Sequence, residues 1–186
     1  MGKRIKKALK RFMLILLAAF VLGIGFVYWE VSANNVKHSS NLVKVKTANS
    51  NGKKALLVYE PGRTNYCKNI AGKVAKGISE DGYEVDINYP GTFLSTNLKE
   101  YSIVVFGSAV YMGSYSKVLG DYIKSIENFG DAKIEIYAAG GLEEAPELDE
   151  MAKLFKSNPV SEKMKFCNKD KNVEDKAYEF GMKLAN

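Results

Sequence analysis

The chain has 186 residues, room for one domain of ordinary size behind a distinct first 53 residues. Its net charge of +6 comes from one place: Lys3, Arg4, Lys6, Lys7, Lys10 and Arg11 precede any acid, and the remaining 21 Lys and Arg balance 21 Asp and Glu. A basic terminus followed by a neutral globular part excludes a nucleic-acid-binding surface as the meaning of that charge.

Residues 1–11 form the basic segment and are followed by "FMLILLAAFVLGIGFVYW", Phe12 to Trp29, 18 residues without a charge. As a helix at 1.5 Å per residue this run spans about 27 Å, close to the roughly 30 Å of a bilayer core. Basic residues stay cytoplasmic, so the chain after Trp29 is expected outside the cytoplasm, as the domain of a single-pass cell-membrane protein. The small residues of "VSA", Val31 to Ala33, leave a cleaved signal peptide as the alternative. The apolar run is longer than a signal peptide needs, which favours a retained anchor. Residues 30–53 are polar, lack helical periodicity and end in an Asn-Gly turn signal, so they read as a flexible stalk with ends on the order of 25 to 30 Å apart. His38, the only histidine, falls in this stalk and reads as solvated linker rather than as a metal ligand or a base.

From 54 to 186 the pattern alternates. Strand-length apolar runs occur at 55–60 ("ALLVYE"), 83–89 ("YEVDINY"), 102–108 ("SIVVFGS"), 133–139 ("KIEIYAA") and 162–167 ("EKMKFC"). Helical spacing occurs at Ile70, Val74, Ala75 and Ile78; at Val118, Leu119, Tyr122, Ile123 and Ile126; at Leu148, Met151, Ala152, Leu154 and Phe155; and at Val173, Ala177, Phe180, Met182 and Leu184. Strands alternating with helices imply parallel pairing through helical crossovers. The segment "EVDIN" alternates as an edge strand would, and the dozen residues from Tyr89 to Glu100 leave room for a short irregular helix at most. The expected fold is α/β, a doubly wound five-stranded parallel sheet of order 2-1-3-4-5, with its ligand crevice at the carboxyl ends of strands 1 and 3. Cys67 and Cys167 would then lie about three strands, roughly 14 Å, apart, too far for a disulfide. Both are expected as free thiols, with Cys67 a small buried hydrophobe.

The turn "YEPGRTNYC" joins the first strand to its helix, the arrangement in which helix N-terminal amides hold phosphates. With it, "IAGKVAKGI", "YSIVVFGSAVYMGSYSKVLGDYI", "KIEIYAAGG" and the closing "VEDKAYEFGMKLAN" resemble the flavodoxin family, including its flavodoxin-like protoporphyrinogen oxidase branch. The resemblance covers residues 54 to 185 and is most specific at Gly107 to Gly113. It implies a flavodoxin-like flavoprotein with noncovalent FMN, an electron carrier or FMN-dependent oxidoreductase with a redox protein or a quinone as partner. Carried over residue by residue, the phosphate loop is Pro61, Gly62, Arg63, Thr64, Asn65 and Tyr66. The second loop is Gly107, Ser108, Ala109, Val110, Tyr111, Met112 and Gly113, with Tyr111 or Met112 against the ring. Ala139, Gly140, Gly141 and Leu142 flank its other side.

Two residues depart from the family pattern. Glu60 and Pro61 stand where hydroxyl residues belong; a proline offers no amide, and a carboxylate facing a phosphate repels it. A flavin-free binding or assembly module on the same fold is therefore the second reading. No Ser-His-Asp set, metal-ligand spacing or Walker-type loop occurs, so any chemistry would come from a cofactor.

Overall fold

The apolar runs form strands whose alternate side chains fill two separate layers, as a sheet covered on both faces requires. The structure, a computed structural model, describes residues 2–33, 35–156 and 158–186. A long helix α1 (Lys3–Ala33) is followed by β1 (Val43–Val45), β2 (Lys54–Tyr59), α2 (Tyr66–Glu80), β3 (Glu84–Asn88), β4 (Ile103–Ala109) and α3 (Lys117–Ser125). Then come β5 (Lys133–Gly140), α4 (Pro146–Ala152) with a 3-10 turn at Lys153–Phe155, β6 (Val160–Cys167) and α5 (Val173–Ala185).

The sheet has the order β1-β3-β2-β4-β5-β6, parallel except for β1. Its five parallel strands reproduce the expected order 2-1-3-4-5. The sheet nevertheless has six strands and not five: Val43–Val45, inside the segment expected as a flexible stalk, pairs antiparallel with β3 in the register Val43↔Ile87. The physical reason is an otherwise open edge. Strand β3 would present unpaired backbone groups there, and the short Val-Lys-Val run covers them with β-branched residues. "EVDIN" is thus an inner strand, and its alternation puts Val85 and Ile87 into the core layer under α2. No helix forms between Tyr89 and Glu100; the link is held by Leu98 N–H donating to Asn128 O (2.7 Å).

On one face, Ala55, Leu57, Val105 and Ala139 pack under α2 and α5; on the other, Leu56, Val58, Phe106 and Ile136 pack under α3 and α4. Helices α2 and α5 touch backbone to backbone: a Cβ on Gly181 would lie 2.1 Å from the Val74 carbonyl, and one on Gly77 2.2 Å from that of Tyr178. Cys67 and Cys167 are both free and buried, and burial pushes the Cys67 thiol up to about 12.

Glu135 on β5 is buried with Oε2 unpartnered, and burial raises its carboxyl to about 7. The unfolded chain loses this proton near pH 4.5 while the folded chain keeps it up to about 7. The resulting stability is full below the lower value and falls as pH rises through that window. Glu135→Gln is expected to remove this loss and to be about 2 kcal/mol more stable than the wild type at pH 8, with little difference at pH 4. Denaturant titrations of both proteins at the two pH values check it.

Candidate functional site

All the strands but β1 point their carboxyl ends to one edge, so the loops after β2, β3, β4 and β5 meet there. Winding reverses between β2 and β4, the switch point beside which ligands bind in sheets of this kind. The first loop starts at Glu60, whose amide still bonds Gly107 O (2.9 Å). Its carboxylate is fully buried on the α3 side of the sheet, where it takes Ser116 Oγ (3.3 Å), the Gly62 amide and His38 Nε2 (3.0 Å). Burial pushes this carboxyl above its usual range, with His38 opposing most strongly. His38 is therefore held in the site by a fully buried acid at this edge, and its reading as solvated linker is corrected. The nearby backbone is pinned too: Asn41 N–H donates to Asn88 Oδ1 at 2.8 Å.

Gly62 takes φ 66°, a left-handed turn that favours glycine, and a Cβ there would sit 3.0 Å from Ala109 Cβ and 3.1 Å from Tyr111 Oη. Helix α2 has no side-chain N-cap, and no acceptor among the described residues takes the amides of Thr64 or Asn65. Thr64 Oγ1 accepts from the Tyr66 amide (3.3 Å). Pro61 and Gly62 are half-buried, and Tyr66 turns its hydroxyl inward, where it has no partner.

Arg63 looks outward to α1. Its guanidinium stacks on the Trp29 ring at 3.7 Å and pairs with Glu30 at 3.0 Å. A second tie runs from the same end of α1, where Asn35 Oδ1 accepts from the Lys117 amide at the start of α3 (3.0 Å). Tyr111 lies across the loop rather than free beside it, with its Oη accepting from the Arg63 amide (2.9 Å).

The other loops build a slot. Val110, Met112, Gly113, Gly141, Leu142 and Lys165 line a cavity of about 490 Å³ between the β4 and β5 loops. Met112, itself at φ 51°, and Leu142 are both exposed at its mouth. Lys165 pairs there with the buried Glu147. Gly140 sits at the base, where a Cβ would be 3.2 Å from Val110 Cβ. Gly107, Ser108, Ala109 and Ala139 are buried strand ends that shape the slot from behind. Gly107 is needed for packing, since a Cβ would lie 2.0 Å from the Tyr137 ring, and Ser108 Oγ accepts from the Ser116 amide (2.8 Å).

The three loops named from the sequence meet at this one edge of the sheet. Sequence reasoning misses Trp29, Glu30, His38, Ser116 and the Lys165–Glu147 pair. One signal for the pair was readable: Lys165 alternates with apolar Met164 and Phe166, and a lysine that far into a strand needs an acid nearby.

No family model matches this sequence, and no curated protein matches it. Solved structures do resemble it in fold. The flavodoxin of Streptococcus pneumoniae TIGR4 superposes with a TM-score of 0.59 at 18% identity, covering 71% of this chain and 97% of that one. Flavodoxin 2 of Bacillus cereus gives 0.56 at 16%, covering 71% and 97%. The Flv1 flavodiiron core of Synechocystis sp. PCC6803 gives 0.58 at 17%, and there this chain spans only 36% of its partner. The domain thus has the flavodoxin-like fold. It carries one N-terminal helix, Arg4–Ser32, apolar and long enough to cross a membrane or to serve as a signal anchor.

Proposed function

We propose that this protein is a membrane-tethered flavodoxin-like electron carrier that binds FMN at the carboxyl edge of its sheet and works at the outer face of the membrane. The observation that carries the reading is that an uncapped α2 N-terminus and a 490 Å³ slot between the β4 and β5 loops share the carboxyl edge of the sheet. The residues present fit the cofactor in both parts. The amides of Thr64 and Asn65 and the turn at Gly62 suit a phosphate, and Glu60, turned to the α3 side, does not oppose it. Met112 and Leu142 offer soft, apolar walls for a flat ring.

When bound, FMN supplies one- or two-electron redox chemistry. The chain's own part is to bind and to shield. The α2 amides hold the anionic end, the β4 and β5 loops keep water from the slot, and the Gly113 and Gly141 backbones allow close approach. A redox protein or a membrane quinone is the expected partner, and residues 1–11 lie on the cytoplasmic side.

A second reading, a flavin-free binding or assembly module, is favoured by one observation. Tyr111 Oη already occupies the Arg63 amide, and Glu60 the Gly62 amide. FMN titration of the full chain in detergent micelles, followed by quenching of flavin fluorescence, separates the two readings. Saturable quenching is expected. Gly62→Asp, which puts a carboxylate and a strained turn beside the phosphate, should weaken binding more than about tenfold, a cost of at least 1.4 kcal/mol. No quenching by the wild type would leave the flavin-free module as the function.

A further inference from the structure

Outside α1 and the segment that follows it, the large apolar side chains most open to solvent among the described residues are Phe93 (43% exposed), Met112 (61%), Leu142 (63%) and Met182 (40%). Three of the four sit in the loops after β3, β4 and β5, at one edge of the sheet. These strands and β2 are neighbours, so the row is about 14 Å long at roughly 4.8 Å per strand. Within the row, in the loop after β2, lies Arg63. Its guanidinium rests 3.7 Å from the Trp29 ring, at the end of the apolar run of α1. An aromatic residue closing an apolar span sits at headgroup depth, which puts Arg63 and its neighbouring loops at that depth as well. The apolar stretch of α1 has no residue buried against the domain, so lipid can surround it completely.

From this geometry we infer that the carboxyl edge of the sheet docks on the bilayer surface, with Phe93, Met112 and Leu142 entering the boundary between headgroups and acyl chains. The partner is the lipid bilayer that α1 crosses, and the inference rests on the anchored reading of that helix. Side chains of this kind are unfavourable in water and favourable at the interface. Because Met112 and Leu142 also form the mouth of the slot, the slot opens toward lipid and not toward the aqueous side.

The test uses the full chain in vesicles of phosphatidylethanolamine and phosphatidylglycerol. Phe93→Cys, Met112→Cys and Leu142→Cys are each labelled with a polarity-sensitive fluorophore, and Asp131→Cys, exposed at the opposite edge, is the control. The buried native thiols leave the wild type unlabelled. The expected result is a blue-shifted emission at 93, 112 and 142 that is lost when acyl-brominated lipid is included, with neither effect at 131. If the chain resists alkaline carbonate but all three labels match 131, the anchor stands and the docking is overturned. If carbonate strips the chain from the vesicles, the anchor itself fails and the docking falls with it.

Discussion

Glu60→Ala is expected to destabilise the protein by about 3 kcal/mol, the scale for leaving two buried donors unpaired at roughly 1 to 3 kcal/mol each. For a protein of this size that is roughly 6 to 12 °C in Tm. The reason is that Glu60 joins three parts of the chain that have no other common partner. It holds His38 from the segment after α1, the Gly62 amide of the first loop and Ser116 at the N-terminus of α3. Without the carboxylate, the Gly62 amide and the Ser116 hydroxyl are left in a dry site, and His38 keeps only its contact with the Tyr89 ring. Glu60→Gln keeps the shape and one acceptor, so its loss should be about 1 kcal/mol. A double-mutant cycle with His38→Ala isolates the pair; thermal unfolding of the four proteins in the same detergent reads it. A coupling energy near zero would show that His38 merely rests at this edge.

Gly181→Ala should cost about 3 kcal/mol, at the upper end for adding one methyl group to a closed interface. The added Cβ would meet the Val74 carbonyl at 2.1 Å and the Gly77 Cα at 3.1 Å. These are backbone atoms, which cannot rotate aside, so α2 and α5 would have to separate. Gly72→Ala in the facing helix, α2, makes the useful contrast. Nothing lies within 4 Å of its Cβ, so only the helix-propensity gain of about 1 kcal/mol remains, and that variant should be stabilised. Opposite signs for two glycine substitutions, one on each helix of this packed pair, would separate close packing from propensity in a single set of denaturant curves.

Much of this arrangement was legible. Continuous apolar runs such as "ALLVY" and "IVVFGSA" mark strands covered on both faces, and the spacing of Ile70, Val74 and Ile78 marks the buried stripe of α2. What escaped were features that depend on neighbours distant in the chain. Three residues, Val43 to Val45, are too few to show a period, and they become a strand only because β3 offers an edge. His38 looked like linker because its partner lies 22 residues away and is a carboxylate that sequence alone places beside a phosphate. Tyr111 could be placed at this edge from the sequence, yet its hydroxyl contact with the Arg63 amide follows from the left-handed turn at Gly62 and not from any motif.

The pairing of Val43–Val45 with β3 shortens more than a linker. Between the end of α1 at Ala33 and His38 on Glu60, the chain has four residues, no more than about 14 Å when fully extended. A tether of that length sets the attitude of the domain but gives it no reach. Under the proposed anchored function, a redox partner held in the same bilayer finds this domain by a search in two dimensions rather than three.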